Sequence, residues 1–289
     1  MRDDKMEHIK MEAAIFFDSH LPNALRRALE YAGNDGFVAS MPQLLHARVN
    51  APYDNIIWNT WFTANSEESV VKTPQGHHVV VAVHGGGIFA SPERFERAYR
   101  ATVDPRYSEG LTKQYAAKIS EREARNLLAG KLPDGTEIPV YSFSEFKRGV
   151  ADLPMRYAVV LDLEIARKSP NGYVSFDVLK DDPLTIIRAG GVEPLAAYLD
   201  KAKARRNTNT MGTWHPFNRI DPDEPQTRVL FLARTYDDVE DEEQIRSDPC
   251  GYDGEYGIGG DASMTNMGQY VAVAPRNVAT SLRYLDFGG

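Results

Sequence analysis

The chain of 289 residues contains one cysteine, Cys250, so it can hold neither an internal disulfide nor a multi-cysteine zinc site, as suits a reducing compartment. It has no apolar run near the ~20 residues a membrane helix needs, and its charged start, MRDDKMEHIK, lacks a signal-peptide core. A cytoplasmic protein with no membrane partner is the expectation. A basic excess is missing as well: 33 Lys and Arg stand against 41 Asp and Glu, a net charge of −8, which argues against a nucleic-acid partner. The acidic surplus is local. Residues 221–255 carry 12 acidic and 3 basic side chains, leaving 30 basic against 29 acidic elsewhere. The centre of that run, YDDVEDEE at 236–243, reads as a solvated segment. What the chain does have is core material. A hydrophobic content of 42% and 14 tyrosines place it in the ordered globular class.

The stretch His77 to Val103, HHVVVAVHGGGIFASPERFERAYRATV, carries the first functional expectation. Val79 to Val83 form an uninterrupted run, as a strand covered on both faces would, and Ser91-Pro92-Glu93 reads as an N-cap, first-turn proline and first-turn acid. Between strand and helix lie Gly85, Gly86 and Gly87. Such a loop can bring bare N–H groups to an anion at a helix start, with His84 beside it as acid or base. The Val-His-Gly-Gly-Gly string is similar to the oxyanion-donor string of hormone-sensitive-lipase-like hydrolases and to a strand end of amino-acid kinases. The first resemblance implies a Gly-x-Ser-x-Gly elbow, and the second an early lysine-glycine motif and a later Asn-Ala-Asp-like segment; this chain has none of these. No family follows.

The second stretch is Arg156 to Ile165, RYAVVLDLEI, an apolar strand carrying Asp162 and Glu164 two residues apart. In extended chain both carboxylates face one side, which suits a divalent cation, Mg or Mn. The structural alternative pairs them with Arg156, Arg167 or Lys168. The string VVLDLE resembles the first motif of DnaQ-like metal-dependent exonucleases, which would imply phosphodiester hydrolysis, although His215 to Asp221 departs from the spacing of that family's late motif.

Further along, Leu184 to Arg188 reads as a strand ending in Ala189-Gly190-Gly191 before a helix from Val192, an echo of the first unit in which Arg188 replaces His84. Asn55 to Thr63, with Trp58, Trp61 and Phe62, reads as an aromatic strand whose rings belong to the core. Asn207 to Asp223, with Trp214-His215-Pro216-Phe217, reads as an ordered loop, a lid or an oligomer contact. The glycine-rich stretch 248–270 could close over a ligand or contact a subunit.

The expected fold is therefore α/β: a mixed β-sheet with flanking helices and glycine-rich strand-to-helix loops, in a single domain over 1–289, with a bilobal form divided at a weak boundary near residue 150 as the variant. The expected function is an enzyme acting on a small phosphorylated or other anionic metabolite. His84, Asp162 and Glu164 would be catalytic, and Gly85, Gly86, Gly87, Ser91, Arg188, Gly190 and Gly191 would hold the ligand. Asp162 and Glu164 would hold the metal. The alternatives are a metal-dependent phosphodiester hydrolase and a non-catalytic protein that forms a homo-oligomer.

Overall fold

The computed structural model describes residues 11–112, 116–206, 209–233, 257–259 and 268–275. Its strands, in chain order, are β1 (Met11–Asp18), β2 (Phe37–Val38), β3 (Phe62–Lys72), β4 (His78–His84), β5 (Ala117–Lys118) and β6 (Val140–Ser142). They continue with β7 (Tyr157–Asp162), β8 (Gly172–Ser175), β9 (Thr210–Trp214), β10 (Gln226–Leu232), β11 (Gly257–Gly259) and β12 (Gly268–Pro275). The architecture starts from the β3–β4 hairpin. At its turn the Thr73 N–H donates to the His77 carbonyl at 2.8 Å and the Gly76 N–H to the Thr73 carbonyl at 2.9 Å, while Gly76 takes the φ of +88° that such a turn requires.

Pairing spreads from that hairpin in both directions to give the order β6-β7-β4-β3-β10-β11-β9-β8, with β5 also on β10. The β6–β7 and β11–β9 pairs are parallel and the rest antiparallel, so the sheet is mixed, and helices flank it. The fold is α/β, as expected. A smaller antiparallel sheet, β1-β12-β2, joins the two ends of the described chain.

Because β4 is central, its run of small and β-branched residues feeds two cores. Val80 and Ala82 face one core with Trp58, Phe62 and Tyr198, which helices Met41–Asn50, Pro183–Ala189 and Val192–Arg206 cover. Val79, Val81 and Val83 face the other, with Phe16, Leu25 and Phe95 from the opposite side. Helix Pro92–Val103 forms as its sequence indicates: Ser91 caps it by accepting from the Arg94 N–H, and Phe95, Ala98 and Tyr99 are buried. The capping box of Ser120 and Glu123 starts helix Glu121–Leu128.

Three segments differ from expectation. Residues 184–188 are not a strand but part of helix Pro183–Ala189, capped by Asp182, which accepts from the Thr185 N–H, and closed by Gly190 at φ +87°. The run is buried throughout, so its apolar pattern carries no period; the caps on either side decide it. The internal repeat is thereby lost. Asn55 accepts from the Ile57 N–H and turns Ile56–Asn59 into a helical turn, so Trp58 and Phe62 do not share a strand. Finally, Thr210–Trp214, read as loop, is β9. The acidic run 236–243, Cys250 and most of the glycine-rich stretch 248–270 lie outside the described residues.

Arg188 and Glu68 tie the first core together. The Arg188 Nε and Nη2 donate to the two Glu68 carboxylate oxygens at 2.7 and 2.8 Å, and both side chains are closed to solvent. A third bond runs from Nη1 to the Trp214 carbonyl at 3.1 Å. Replacing Arg188→Met should leave a buried carboxylate without its cation and lower unfolding free energy by about 3–5 kcal/mol in urea titrations. The double replacement with Glu68→Met should recover much of that loss.

Candidate functional site

The glycine loop does surround a carboxylate, and that carboxylate belongs to the chain. Glu67, 3% exposed, points from β3 to the second core and accepts from the N–H groups of Gly87 at 3.0 Å, Ile88 at 2.8 Å and Phe89 at 2.9 Å. The Gly85 and Gly86 N–H groups donate to the Asn65 carbonyl at 2.9 and 3.0 Å. All five amides from Gly85 to Phe89 are engaged. A ligand anion would have to displace Glu67 into an apolar core, which corrects the expected anion site at Gly85, Gly86 and Gly87. Gly85, at φ +86°, is needed because a Cβ there would stand 2.6 Å from the Met155 carbonyl oxygen.

His84 is wholly buried. The Ser66 hydroxyl, which accepts from the Met41 N–H at 2.9 Å, donates to His84 Nδ1 at 2.9 Å, leaving Nε2–H to donate to the Ile187 carbonyl at 3.0 Å. This pattern assigns the neutral Nε2–H tautomer. Burial pushes the imidazole down to about 4, and the Arg188 charge acts in the same direction. With both nitrogens occupied, His84 is a structural link between β3, β4 and helix Pro183–Ala189, not the expected acid or base.

The remaining expected groups do not converge. Asp162 ends β7 and caps the following short helix by accepting from the Glu164 and Ile165 N–H groups, while Glu164 lies in that helix and pairs with Arg167 at 2.6 Å. The strand ends between the two acids, so they do not share the face that extended chain would give. Among the described residues no cluster of His, Cys, Asp or Glu suits a metal ion. Ser91 is a helix cap, Arg188 is bound to Glu68, Gly190 closes a helix, and Gly191, at φ +139°, leads into the next. His215, 3% exposed, bonds the Ser169 carbonyl at 2.8 Å.

A different surface gathers accessible groups. In the part of the sheet formed by β8, β9, β11 and β10, Tyr173 stands opposite Gly212, Gly212 opposite Gly257, Trp214 opposite Gly259, and Gly259 opposite Phe231. Laterally paired residues share a face. Tyr173, Trp214 and Phe231 therefore rise from one face, and Gly212, Gly257 and Gly259 add no side chain between them. The alternate residues Met211, Val174 and Leu232 go into or against the first core.

Aromatic rings border this trough on both sides. Tyr173 meets Trp214 edge-on at 5.8 Å, and Trp61 meets Phe231 at 5.6 Å, with Phe17 beyond it at 6.5 Å. Tyr173 is 46% and Phe17 51% exposed, and Trp61, Trp214 and Phe231 are half-buried. Sequence reading missed this site because Trp61 looks like core beside Trp58 and because β9 was read as loop. The alternation in TMGTW and the GIG of β11 are the local signals of a strand with one side-chain-poor face.

No protein-family model matches the sequence, and comparison with curated proteins gives no match. A solved structure described as "Accommodation of massive sequence variation in Nanoarchaeota by the C-type lectin fold" superposes with a TM-score of 0.62. The match covers 91% of this chain and 97% of that chain at 23% identity. A likeness at this level establishes the fold, a C-type lectin fold. It overturns the expected metabolite enzyme and metal-dependent hydrolase together with the site geometry: the catalytic and ligand residues proposed for them are structural, and the metal cluster does not form among the described residues.

The two buried titratable groups make opposing pH predictions. Burial raises Glu67 from 4.5 to about 7, against the pull of three amide bonds and the Thr227 hydroxyl, so its contribution to stability falls as pH rises from about 5 to 7. His84 goes from 6.5 to about 4, so its contribution falls as pH drops from 6.5 towards 4. Each amounts to about 2 kcal/mol between pH 7 and 5, with opposite sign. Glu67→Gln should therefore unmask a loss of stability on going from pH 7 to 5 that the unmodified chain largely offsets, as read from urea midpoints across that range.

Proposed function

We propose that this chain is a non-catalytic binding protein whose ligand contacts lie on the trough bordered by Tyr173, Trp214, Phe231 and Trp61. The observation that carries this reading is the row of partly exposed aromatic rings on one sheet face around three glycines. Large rings fixed on strands offer contact area with little side-chain ordering, and the glycines between them add no side chains to fill the trough. Such a surface suits a ligand with a flat, partly apolar face, as a sugar ring or an aromatic side chain presents. The similar structure is described in terms of massive sequence variation carried by its fold. For this chain the corresponding reading is that the trough residues contribute recognition, while β3, β4 and the two cores contribute stability.

Screening the full chain against oligosaccharide and peptide arrays, followed by titration of the hits, tests this reading. Tyr173→Ala combined with Trp214→Ala should weaken binding at least tenfold while leaving the thermal midpoint within a few degrees, since Tyr173 is exposed and Trp214 only half-buried. Hits that bind the double variant unchanged would remove the trough from the recognition surface.

A further inference from the structure

β8 ends the order of the large sheet, so among the described residues β9 is its one strand neighbour, over the four pairs from Gly172–Thr213 to Ser175–Thr210. Side chains lengthen this short ladder. Beyond Gly172–Thr213, Asn171 Nδ2 donates to the His215 carbonyl at 2.7 Å, and His215 Nε2 donates to the Ser169 carbonyl at 2.8 Å. A carbonyl can only accept, so the proton of the neutral imidazole is on Nε2. Asn171 stands two residues before Tyr173, and His215 directly follows Trp214. The two rings are diagonal neighbours across the ladder, and their edge-on contact at 5.8 Å depends on how closely the strands are held at this end.

His215 is buried and stacks on Phe217 at 5.3 Å. Its Nδ1 is closed to solvent and has no hydrogen-bond partner among the described residues, and the buried Ser169 hydroxyl is not bonded to it. The charged groups facing the ring are Arg188, Glu68 and Asp182. Arg188 Nη1 holds the Trp214 carbonyl at 3.1 Å, Glu68 is paired with Arg188, and Asp182 caps helix Pro183–Ala189. Arg167, from the helix before β8, is bound to the Phe217 carbonyl and to Glu164. Burial pulls the imidazole below its usual 6.5, with the Arg188 charge acting in the same direction and the Ser169 carbonyl and the two carboxylates opposing. The ring is therefore neutral at pH 7. A proton arriving at Nδ1 creates a buried donor with no acceptor and a second positive charge beside Arg188, and both costs are relieved when the ring leaves its place. The Asn171 bond, made to the carbonyl of the same residue, goes with it.

We propose that His215 and Asn171 are the positioning residues of the trough: together they hold the Tyr173–Trp214 pair, and a proton taken up at His215 Nδ1 releases it. As a statement about recognition this rests on the trough reading, and it makes ligand release acid-dependent. As a statement about the ring pair it is tested without a ligand.

The test uses fluorine NMR of the full chain labelled with fluorotryptophan, the Trp214 signal being assigned with Trp214→Phe. From pH 7 to about 4 that signal should follow a one-proton titration with a midpoint below 6.5, while the signal of the buried Trp58 stays in place. The Overhauser contact between Trp214 and Tyr173 should fade at the acid end. His215→Gln sets an amide donor where Nε2 stood and does not titrate, so it should keep the contact at both ends of the range and abolish the titration. Asn171→Ala, at an exposed position, should weaken the contact about twofold at pH 7 with the fold intact. The proposal is overturned if the Trp214 signal is flat over that range, if its titration persists in His215→Gln, or if Asn171→Ala leaves the contact at full strength. The Asn171 outcome decides even where His215→Gln does not fold. Array hits indifferent to Tyr173 and Trp214 would remove the recognition reading and leave the titration standing, whereas a flat titration beside hits that bind through both rings would overturn this proposal alone.

Discussion

The fold depends on a constraint in the middle of β3, where Ser66, Glu67, Glu68 and Ser69 are all buried in a central strand. Alternation sends Glu67 to one core and Glu68 to the other, so each carboxylate must find donors on its own side of the sheet. Glu68 finds the Arg188 guanidinium and so fixes helix Pro183–Ala189. Glu67 finds three loop amides and so fixes the crossing from β4 to helix Pro92–Val103. The flanking hydroxyls extend the pattern, Ser66 to His84 and Ser69 to Thr227 at 2.8 Å. Both layers are thus located by polar bonds from one strand, and apolar packing fills the space around them.

That constraint explains why the sequence showed much of the fold and misplaced the site. The β3–β4 hairpin, β7, β12 and the helices after Ser91 and Ser120 are marked by local signals: a Thr-Pro-Gln-Gly turn, valine runs, the Ser91 N-cap with its first-turn proline, and the Ser120 capping box. Triple glycine beside histidine was equally visible as an anion-holding loop. Sequence could not show that the anion is Glu67, twenty residues earlier, because only strand pairing brings the two together. The same holds for Arg188, whose partner Glu68 is 120 residues away. Asp162 and Glu164 failed for a local reason: Asp162 is a better helix cap than strand residue, and capping turns the chain between them.

The trough was hidden by composition rather than distance. Trp58 and Trp61 stand three residues apart, yet the first is wholly buried and stacked on Tyr198 at 6.0 Å, while the second reaches Phe231 at the surface. The Asn55 cap separates them, because the helical turn it starts must end before β3 can begin at Phe62. Beyond that point the sheet's lateral pairing, not sequence proximity, gathers rings from four separate segments.

The distribution of charge inside the molecule limits where recognition can occur. Glu67, Glu68, His84, Arg188 and Asp182 each hold an element in place, so altering any of them to suit a ligand would leave an unpaired group in a low-dielectric core. Tyr173, Trp214 and Phe231 stand on strands whose ladder bonds are made by backbone and whose inward residues are Met211, Val174 and Leu232. A face of that kind can change its side chains without changing its register, because a strand's two faces are separated by its two-residue period. The pairing of β8, β9, β11 and β10 therefore keeps the ring-bearing face apart from the core-facing residues, just as the buried polar framework of β3 fills the glycine loop with Glu67.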